Sequence, residues 1–334
     1  MNRKGLDVGL ILLLIGTSAI PSTALDIEEP SLPTSSGNWL YVGGSGPGNF
    51  TKIQDAVDKA SDGDTVFVYD DSSPYDENIT VDKSIIVQGE NMYTTIITDG
   101  GFSINGIDHV ILADFTIQRA PSDGVFMENS SNDIIENCIF YQNAIGLQLR
   151  HRGENNIIRN CIFNSNLWIG VYLNGFSVNN NEIYYCDIFN NGLDFNPYCR
   201  HGGIVIEPSY GTKIHHCNIN NNEYVGVGLV YCGAQITSNN IVNNSDEVRG
   251  ISISGGFPFS FCDMSHNWWG APQGPNIKIY FLNFNKVIRD VGGNQTVHLY
   301  GIWSLKSLFH LRPWLIEPVP DAGLQTLDKE RMKL

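Results

Sequence analysis

The stretch Ile135-Glu136-Asn137-Cys138-Ile139-Phe140-Tyr141-Gln142-Asn143 is the clearest copy of a phrase that the chain repeats. The phrase is an apolar residue, two variable positions, Cys, one variable position, an apolar residue, two variable positions and Asn. Further copies of its Cys-to-Asn part begin at Cys161, Cys186, Cys217, Asn239 and Cys262, and a degenerate copy begins at Phe115. Successive copies are 23, 23, 25, 31, 22 and 23 residues apart. A fixed period of this length is typical of solenoids.

A second phrase, Gly followed by apolar, variable and apolar residues, recurs in the same period. It begins at Gly124, Gly146, Gly170, Gly203, Gly226 and Gly250. Alternation of apolar and variable residues is the period of a β-strand, whose side chains point to opposite faces in turn. Each period therefore predicts two or three short strands joined by bends.

The leucine-rich repeat has a similar pattern and is the competing interpretation. It needs a helical segment in each repeat, but the segments here lack the Ala, Leu, Glu and Lys that favour helices. They contain instead Asn-rich turns such as Asn179-Asn180-Asn181-Glu182, and Asn and Gly tolerate left-handed backbone at tight bends. We therefore predict an all-β fold, a right-handed parallel β-helix solenoid with an N-terminal capping helix.

Five Cys occupy the Cys position of the first phrase and are here called the Cys ladder: Cys138, Cys161, Cys186, Cys217 and Cys262. They are expected to stack in the core of the solenoid as small apolar side chains. Cys199 and Cys232 lie outside the ladder and could pair with each other.

The remaining segments are predicted to flank the repeats, which occupy residues 84–275. Residues 1–24 have the basic start, apolar run and small final residues of a signal peptide, and residues 25–37 have the composition of a flexible linker. Residues 38–83 are predicted to form the N-terminal cap and first strands. Within them Thr51 to Ala60 is expected to be an amphipathic helix that covers the open end of the solenoid. Residues 276–334 are predicted to form a C-terminal cap and tail.

Several segments resemble a known family. They are Tyr41-Val42-Gly43-Gly44, Phe50 to Val57, Gly63 to Val68, Tyr75 to Ile79, Ile85 to Gly89 and Asn267-Trp268-Trp269-Gly270. They are similar to the pectin-lyase-like β-helix superfamily, and most similar to its secreted NosD-type and carbohydrate-binding repeat proteins of prokaryotes. The resemblance covers residues 38–276 and implies the fold. It implies no reaction, because the Gly-x-x-Asp-Phe-Ile-Phe-Gly string of pectin methylesterases and the Trp-x-Asp-His string of pectate lyases are missing.

Composition and short motifs limit the partners. The net charge of −15 disfavours nucleic acid and anionic lipid, whose binding surfaces are basic. No segment beyond the predicted signal peptide is long and apolar enough to span a bilayer. We expect a secreted protein, extracellular or periplasmic, at the cell surface. Its candidate glycosylation sites are Asn49, Asn78, Asn129, Asn243 and Asn294.

One edge of the solenoid is predicted to bind substrate. The residue after each Gly phrase leads into an exposed bend, which places Arg150 one coil from Glu128 and two coils from Glu207. A long insertion, Gly192 to Gly202, precedes the coil of Glu207, and loops on rigid scaffolds often carry function. The candidate substrate-binding residues are Arg150, His151, Arg152, Asp194, Arg200, His201 and Glu207. Phe126, Trp168, Tyr172 and Tyr231 could stack on sugar rings. The alternative is a solvated edge whose ion pairs contribute little.

No cofactor is expected. His215 and His216 are adjacent on a predicted strand, so their side chains should point to opposite sides and not share an ion. Copper is therefore disfavoured, whereas calcium bound by Asp and Asn oxygens stays open.

Three functions remain as hypotheses. The first is a non-catalytic protein that binds carbohydrate or builds a surface layer. The second is a polysaccharide lyase, epimerase or esterase, and the third is a periplasmic copper accessory protein.

Overall fold

The computed structural model describes residues 37–175, 177–194, 201–230, 232–245, 262–281, 284–289, 296–300, 309–310 and 313–324. The predicted signal peptide, the linker up to residue 36, Cys199, Arg200, Tyr231 and Asn294 lie outside these residues.

The secondary structure is one α-helix, α1 (Ile53–Lys59), one 3-10 turn (Asp70–Ser72) and 28 short strands among the described residues. The first fourteen strands are β1 (Trp39–Val42), β2 (Thr65–Val68), β3 (Asn78–Val81), β4 (Ile86–Gly89), β5 (Ile96–Thr98), β6 (Gly101–Asn105), β7 (Ile111–Ala113), β8 (Thr116–Gln118), β9 (Asp123–Glu128), β10 (Ile134–Glu136), β11 (Ile139–Tyr141), β12 (Ile145–Arg150), β13 (Ile157–Arg159) and β14 (Ile162–Asn164). The others are β15 (Ile169–Asn174), β16 (Glu182–Tyr184), β17 (Asp187–Phe189), β18 (Gly202–Glu207), β19 (Tyr210–His215), β20 (Asn218–Asn220), β21 (Val227–Leu229), β22 (Gly233–Thr237), β23 (Asn240–Val242), β24 (Cys262–Asp263), β25 (Asn276–Phe281), β26 (Phe284–Arg289), β27 (Thr296–Tyr300) and β28 (Phe309–His310).

Each of the six coils from β4 to β21 contributes one strand to each of three parallel sheets, which confirms the predicted solenoid. The first sheet runs β1-β2-β4-β7-β10-β13-β16-β19-β22-β24-β28. The second contains β5, β8, β11, β14, β17, β20 and β23, and the third contains β3, β6, β9, β12, β15, β18 and β21. Parallel pairing begins at β1, so the coils start before residue 84. A separate three-stranded sheet near the C-terminus has the order β26-β25-β27.

The core lies inside the coils, because the strands of the three parallel sheets from β1 to β24 turn apolar side chains inward. Ile135, Phe140 and Leu147 represent the three sheets of one coil, and all three are fully buried. Helix α1 buries Ile53, Ala56 and Val57, the face that the helical period predicts, and packs against β1, β2 and β3.

The Cys ladder is confirmed for Cys138, Cys161, Cys186 and Cys217, which are fully buried free thiols. Each directly precedes a strand of the second sheet, and the register of those strands stacks the four side chains. Packing as small apolar groups is therefore their structural role.

The placement of Cys262 in this ladder is wrong. Its strand β24 belongs to the first sheet and pairs with β22, beside the free thiol Cys232. The slot next to Asn239 is taken by Asn267, whose Oδ1 accepts the backbone N–H of Asn239 at 3.0 Å. In the previous coil, Asn239 Oδ1 accepts the backbone N–H of Cys217 in the same way. A side-chain amide is suited to this slot because its oxygen is a good hydrogen-bond acceptor, whereas a Cys thiol is only a weak one. The register then puts Trp269, which is 1% exposed, over the end of the core.

Buried Asn side chains join successive coils at the bend after the second sheet. Asn166 Oδ1 accepts the backbone N–H of Asn143 at 3.1 Å, and Asn166 Nδ2 donates to the Phe140 carbonyl at 3.1 Å. The same two bonds recur at Asn143, Asn191, Asn222 and Asn244. The ladder therefore satisfies buried backbone groups, as its structural interpretation predicts.

A second ladder, not predicted, lies at the bend before the first sheet. Asn156 and Asn181 make the same two kinds of bond there, and Asp133 takes the equivalent position one coil earlier. The signal was present in the sequence, because these residues stand five positions before Cys161, Cys186 and Cys138.

The bends use left-handed backbone. Of the 22 non-Gly residues with positive φ among the described residues, nine are Asn. Asn is the residue other than Gly that best tolerates this conformation, which explains the Asn-rich turns of each repeat.

Candidate functional site

The third sheet carries a mixed polar and aromatic surface on its outward side, here called the third-sheet face. Its members come from β9, β12, β15 and β18, whose side chains alternate between core and surface. The pairing register arranges them in columns that run across the coils. The middle column is Phe126, Gln148, Tyr172 and Val205, and the column at the strand ends is Glu128, Arg150, Asn174 and Glu207.

The predicted spacing of Arg150 from Glu128 and Glu207 is confirmed by this register. His151 follows Arg150 in a left-handed bend, with φ of 43°, and its Nδ1 lies 2.7 Å from Glu128 Oε1. Arg152 lies in the same bend, and its carbonyl accepts the Ser131 hydroxyl at 3.0 Å. The structure thus brings Arg150, His151 and Glu128 together at one edge, with Glu207 in line.

Asp194 and His201 lie at the opposite edge of the third sheet. The Asp194 N–H donates to the Leu167 carbonyl just before β15 begins, and His201 immediately precedes β18. A six-residue strand separates this edge from Arg150, a distance of about 16 Å. The six predicted residues that the structure describes therefore do not form one cluster. Asp194 and His201 lie beside the strand starts because the chain enters the third sheet there, whereas it leaves the third sheet at the Arg150 bend.

Asp123 is a member of the face that the sequence analysis did not select. It begins β9 in a column that continues with Ile145, Ile169 and Gly202. Burial raises the pKa of Asp123 to about 6, while a hydrogen bond from Ser122 and the positive charge of Arg150 lower it. Its Oδ1 is buried and has no hydrogen-bond partner among the described residues. The available signal was a carboxylate directly before the Gly of the second phrase, where the next two coils carry Ile.

Aromatic side chains give the face an apolar component. Phe126 and Tyr172 are half-buried in the middle column, with Gln148 between them. Trp168 and Tyr172 pack against Ile169 and Val205 on the outside of the coils. The indole Nε1 of Trp168 is buried without a hydrogen-bond partner in the described part of the chain. The face thus combines ring surfaces with hydrogen-bonding groups.

A second aromatic surface lies on the outer side of β1 and β2. Trp39 and Tyr41 are 49% and 38% exposed, and their rings contact Phe67. Unlike the third-sheet face, this patch has no charged column in register with it. It therefore provides a natural control surface for binding experiments.

The expectation that His215 and His216 point to opposite sides is wrong. Strand β19 ends at His215, and His216 has left-handed backbone with φ of 53°. The alternation of faces holds only for extended residues, so the bend turns both imidazoles the same way. Their Nδ1 atoms are 2.9 Å apart.

Three further features bear on the predicted partners. No group of three or more His, Cys, Asp or Glu side chains converges as a metal site among the described residues. In the same part of the chain, no helix has the length and hydropathy needed to cross a membrane. Of the candidate glycosylation sites, Asn78, Asn129 and Asn243 are exposed and Asn49 is half-buried.

Comparison with known proteins identifies the architecture. The family model described as "Right handed beta helix region" matches residues 48–196. This match and the three parallel sheets agree on the fold, a right-handed parallel β-helix. A search of curated proteins gave no match.

Solved structures similar to this β-helix protein include several that act on polysaccharides. Pectate lyase Pel9A has 15% identity and a TM-score of 0.49, over 90% of this chain and 86% of the lyase. An alginate lyase from Paenibacillus sp. str. FPU-7 has 12% identity and a TM-score of 0.45, over 79% and 98%. Pectin methylesterase PemA from Erwinia chrysanthemi has 11% identity and a TM-score of 0.41, over 81% and 92%. At such low identity these are similarities of fold and not of activity.

Proposed function

We propose that this β-helix protein binds an extended glycan along the third-sheet face, outside the cell or at its surface, without turning it over. The observation that carries the proposal is the register of two columns on that face. One column presents Phe126, Gln148 and Tyr172, and the other presents Glu128, Arg150 and Glu207. Sugars have apolar ring faces and hydroxyl edges, so a glycan needs both kinds of surface side by side.

The dimensions of the scaffold suit a linear polymer. Neighbouring coils are about 4.8 Å apart, so Phe126 and Tyr172, two coils apart, are separated by about 10 Å. This distance is close to the length of two linked sugar rings. Rigid strands hold the side chains in place, which reduces the conformational entropy lost on binding.

Arg150 is the group suited to an acidic sugar, because a guanidinium donates two parallel hydrogen bonds to a carboxylate. Glu128 and Glu207 in the same column, and Asp123 at the starts of the strands, can accept hydrogen bonds from sugar hydroxyls. The face therefore fits a polymer with both hydroxyls and occasional carboxylates.

Replacing Arg150 by Ala should weaken binding of a uronate-containing glycan by about tenfold to a hundredfold, the loss expected for hydrogen bonds to a charged group. Calorimetry on a ligand first found with a glycan array measures the change. Arg119→Ala is the matched control, since Arg119 pairs with Asp99 on a bend of the second sheet. Unchanged affinity in Arg150→Ala, or a comparable loss in Trp39→Ala alone, would move the site away from this face.

Binding of the same acidic glycan should weaken as pH rises from 5 to 7.5. Asp123 loses its proton as pH passes its pKa of about 6, which adds a negative charge within electrostatic reach of Arg150 and repels the ligand. Asp123→Asn should remove most of this pH dependence, whereas Asp99→Asn should leave it intact. An Asp123→Asn profile that matches wild type would exclude Asp123 from the site.

Asp123 also supports a second candidate function, a polysaccharide lyase or epimerase. A carboxylate with a pKa raised by burial is suited to moving a proton near neutral pH, and the positive charge of Arg150, which acts on Asp123 from the other end of the strands, would attract an acidic sugar to the same face. Turnover assays on polyuronates and esterified pectin, with Asp123→Asn as the inactive control, decide between binding and catalysis. The copper accessory hypothesis draws no support from this face.

A further inference from the structure

The pair of His residues at the end of β19 is built differently from the other histidines of the described chain. The Nδ1 atoms of His215 and His216 are 2.9 Å apart, the ring centroids are 5.2 Å apart and the ring planes are perpendicular. These values place the two nitrogens between the ring centres, so that they face each other head on.

Each imidazole has a carboxylate behind it. The Nε2 of His215 lies 3.1 Å from Glu182 Oε1, and the Nε2 of His216 lies 4.0 Å from Asp321 Oδ2. Glu182 is close enough to orient His215 and fix the tautomer that leaves its opposite nitrogen free to bind, as carboxylates do behind metal-binding histidines. Asp321 is beyond hydrogen-bond distance and acts on His216 only through its charge. Tyr184 stacks on His215 with an angle of 10° between the rings, which limits rotation of that imidazole.

The proton count of the pair is compatible with a metal ion. A proton on His215 Nε2 donates to Glu182, and this leaves a lone pair on His215 Nδ1. In the metal-free pair, the Nδ1–H of His216 donates to that lone pair. If the His216 proton moves to Nε2, facing Asp321, both Nδ1 lone pairs become available and no proton is lost.

We propose that His215 and His216 bind a monovalent coinage-metal ion, Cu(I), in linear two-coordinate geometry through their Nδ1 atoms. Opposed lone pairs suit two-coordinate binding, whereas zinc takes four ligands and calcium six to eight oxygens. No third His, Cys, Asp or Glu joins the pair as a ligand group in the described ranges. Metal–imidazole bonds of about 2 Å require the nitrogens to separate to about 4 Å. The His side chains are 13% and 24% exposed, so an ion can reach them from solvent.

Anaerobic competition with a chromophoric Cu(I) chelator tests the site. Wild type should take up one equivalent, and X-ray absorption should show a two-coordinate ion with nitrogen ligands. His216→Asn should weaken binding by more than about 100-fold, and Glu182→Gln by about tenfold, the range typical of residues behind a ligand. His109→Asn is the matched control because His109 is exposed and also has left-handed backbone, with φ of 63°.

Thiols are the competing ligands and need their own control. The cysteines within the described residues are buried, so Cys199→Ser addresses the cysteine that lies outside them. Retained binding in Cys199→Ser together with its loss in His216→Asn supports the site. Equal affinity in His216→Asn and wild type, loss of binding in Cys199→Ser, or sulfur ligands in the absorption spectrum would overturn it. The outcome of this test does not depend on whether the protein binds a glycan.

Discussion

Replacing Phe163 by Ala should lower the free energy of unfolding by about 3–5 kcal/mol, the usual cost of deleting a buried aromatic side chain. Phe163 is fully buried, and its ring stacks on that of Phe140 with centroids 4.5 Å apart and an angle of 1° between the planes. The substitution removes this contact and leaves a cavity between two rigid coils that cannot easily close. Chemical denaturation followed by circular dichroism measures the loss.

Phe189→Ala is the matched control for Phe163→Ala. Phe189 lies in the next coil of the second sheet, one position beyond the inward slot, and is half-buried. Its replacement should cost clearly less. A loss below about 1 kcal/mol for Phe163→Ala would contradict the packing described here.

Replacing Asp133 by Asn should stabilise the protein at neutral pH. Burial raises the pKa of Asp133 from 3.8 to about 7. Its carboxyl bonds the Ser130 hydroxyl, which also bonds the Ile107 carbonyl. A hydroxyl has one proton, so both bonds form only when Asp133 is protonated and donates to Ser130.

The pKa of Asp133 is about 7 in the folded protein and near the ordinary value of 3.8 in the unfolded chain, and this difference sets the direction of the pH effect. Between pH 4 and pH 7 the folded state holds a proton that the unfolded chain has released, so the stability contributed by this group is lost as pH rises. The difference amounts to about 4 kcal/mol at neutral pH. The amide introduced by Asp133→Asn stays neutral and can make the two bonds that Asn156 and Asn181 make in the following coils.

The measurement compares unfolding free energies at several pH values between 4 and 7.5. The advantage of Asp133→Asn over wild type should grow steadily across this interval. Asp82→Asn removes an exposed carboxylate and should show no such growth. A constant difference between Asp133→Asn and wild type would mean that Asp133 is ionised in the folded protein throughout.

The ladders suggest how function is separated from stability in this fold. Inward slots and bends carry Cys, Asn and apolar residues that repeat from coil to coil. The outward columns vary more. Two carboxylates with a pKa raised by burial depart from the residue types of the following coils. Asp123 stands at the outward position that Ile145 and Ile169 take in the next two coils, and Asp133 stands at the buried bend position that Asn156 and Asn181 take. A carboxylate in a repeated apolar or amide slot is thus a useful marker when such sequences are analysed.

The sequence by itself determined the fold, because a solenoid buries its core through contacts that recur at a fixed spacing. The period, the alternation and the Asn at the bends predict a parallel solenoid with two or three strands in each coil, the burial of Phe163 and the columns that align Arg150 with Glu128. The face of the capping helix was equally predictable, since it depends only on the 3.6-residue period.

Only the tertiary structure decided where the repeat changes register and how side chains meet at its bends. Cys262 matches the repeat in sequence, yet Asn267 occupies the slot because hydrogen bonding to the previous coil, and not spacing, sets the register there. His215 and His216 meet because one left-handed residue ends the alternation of faces. Asp194 and His201 lie about 16 Å from Arg150 because a full strand separates the two edges of the sheet. Local backbone conformation and contacts between coils determine these features, and a one-dimensional pattern does not contain them.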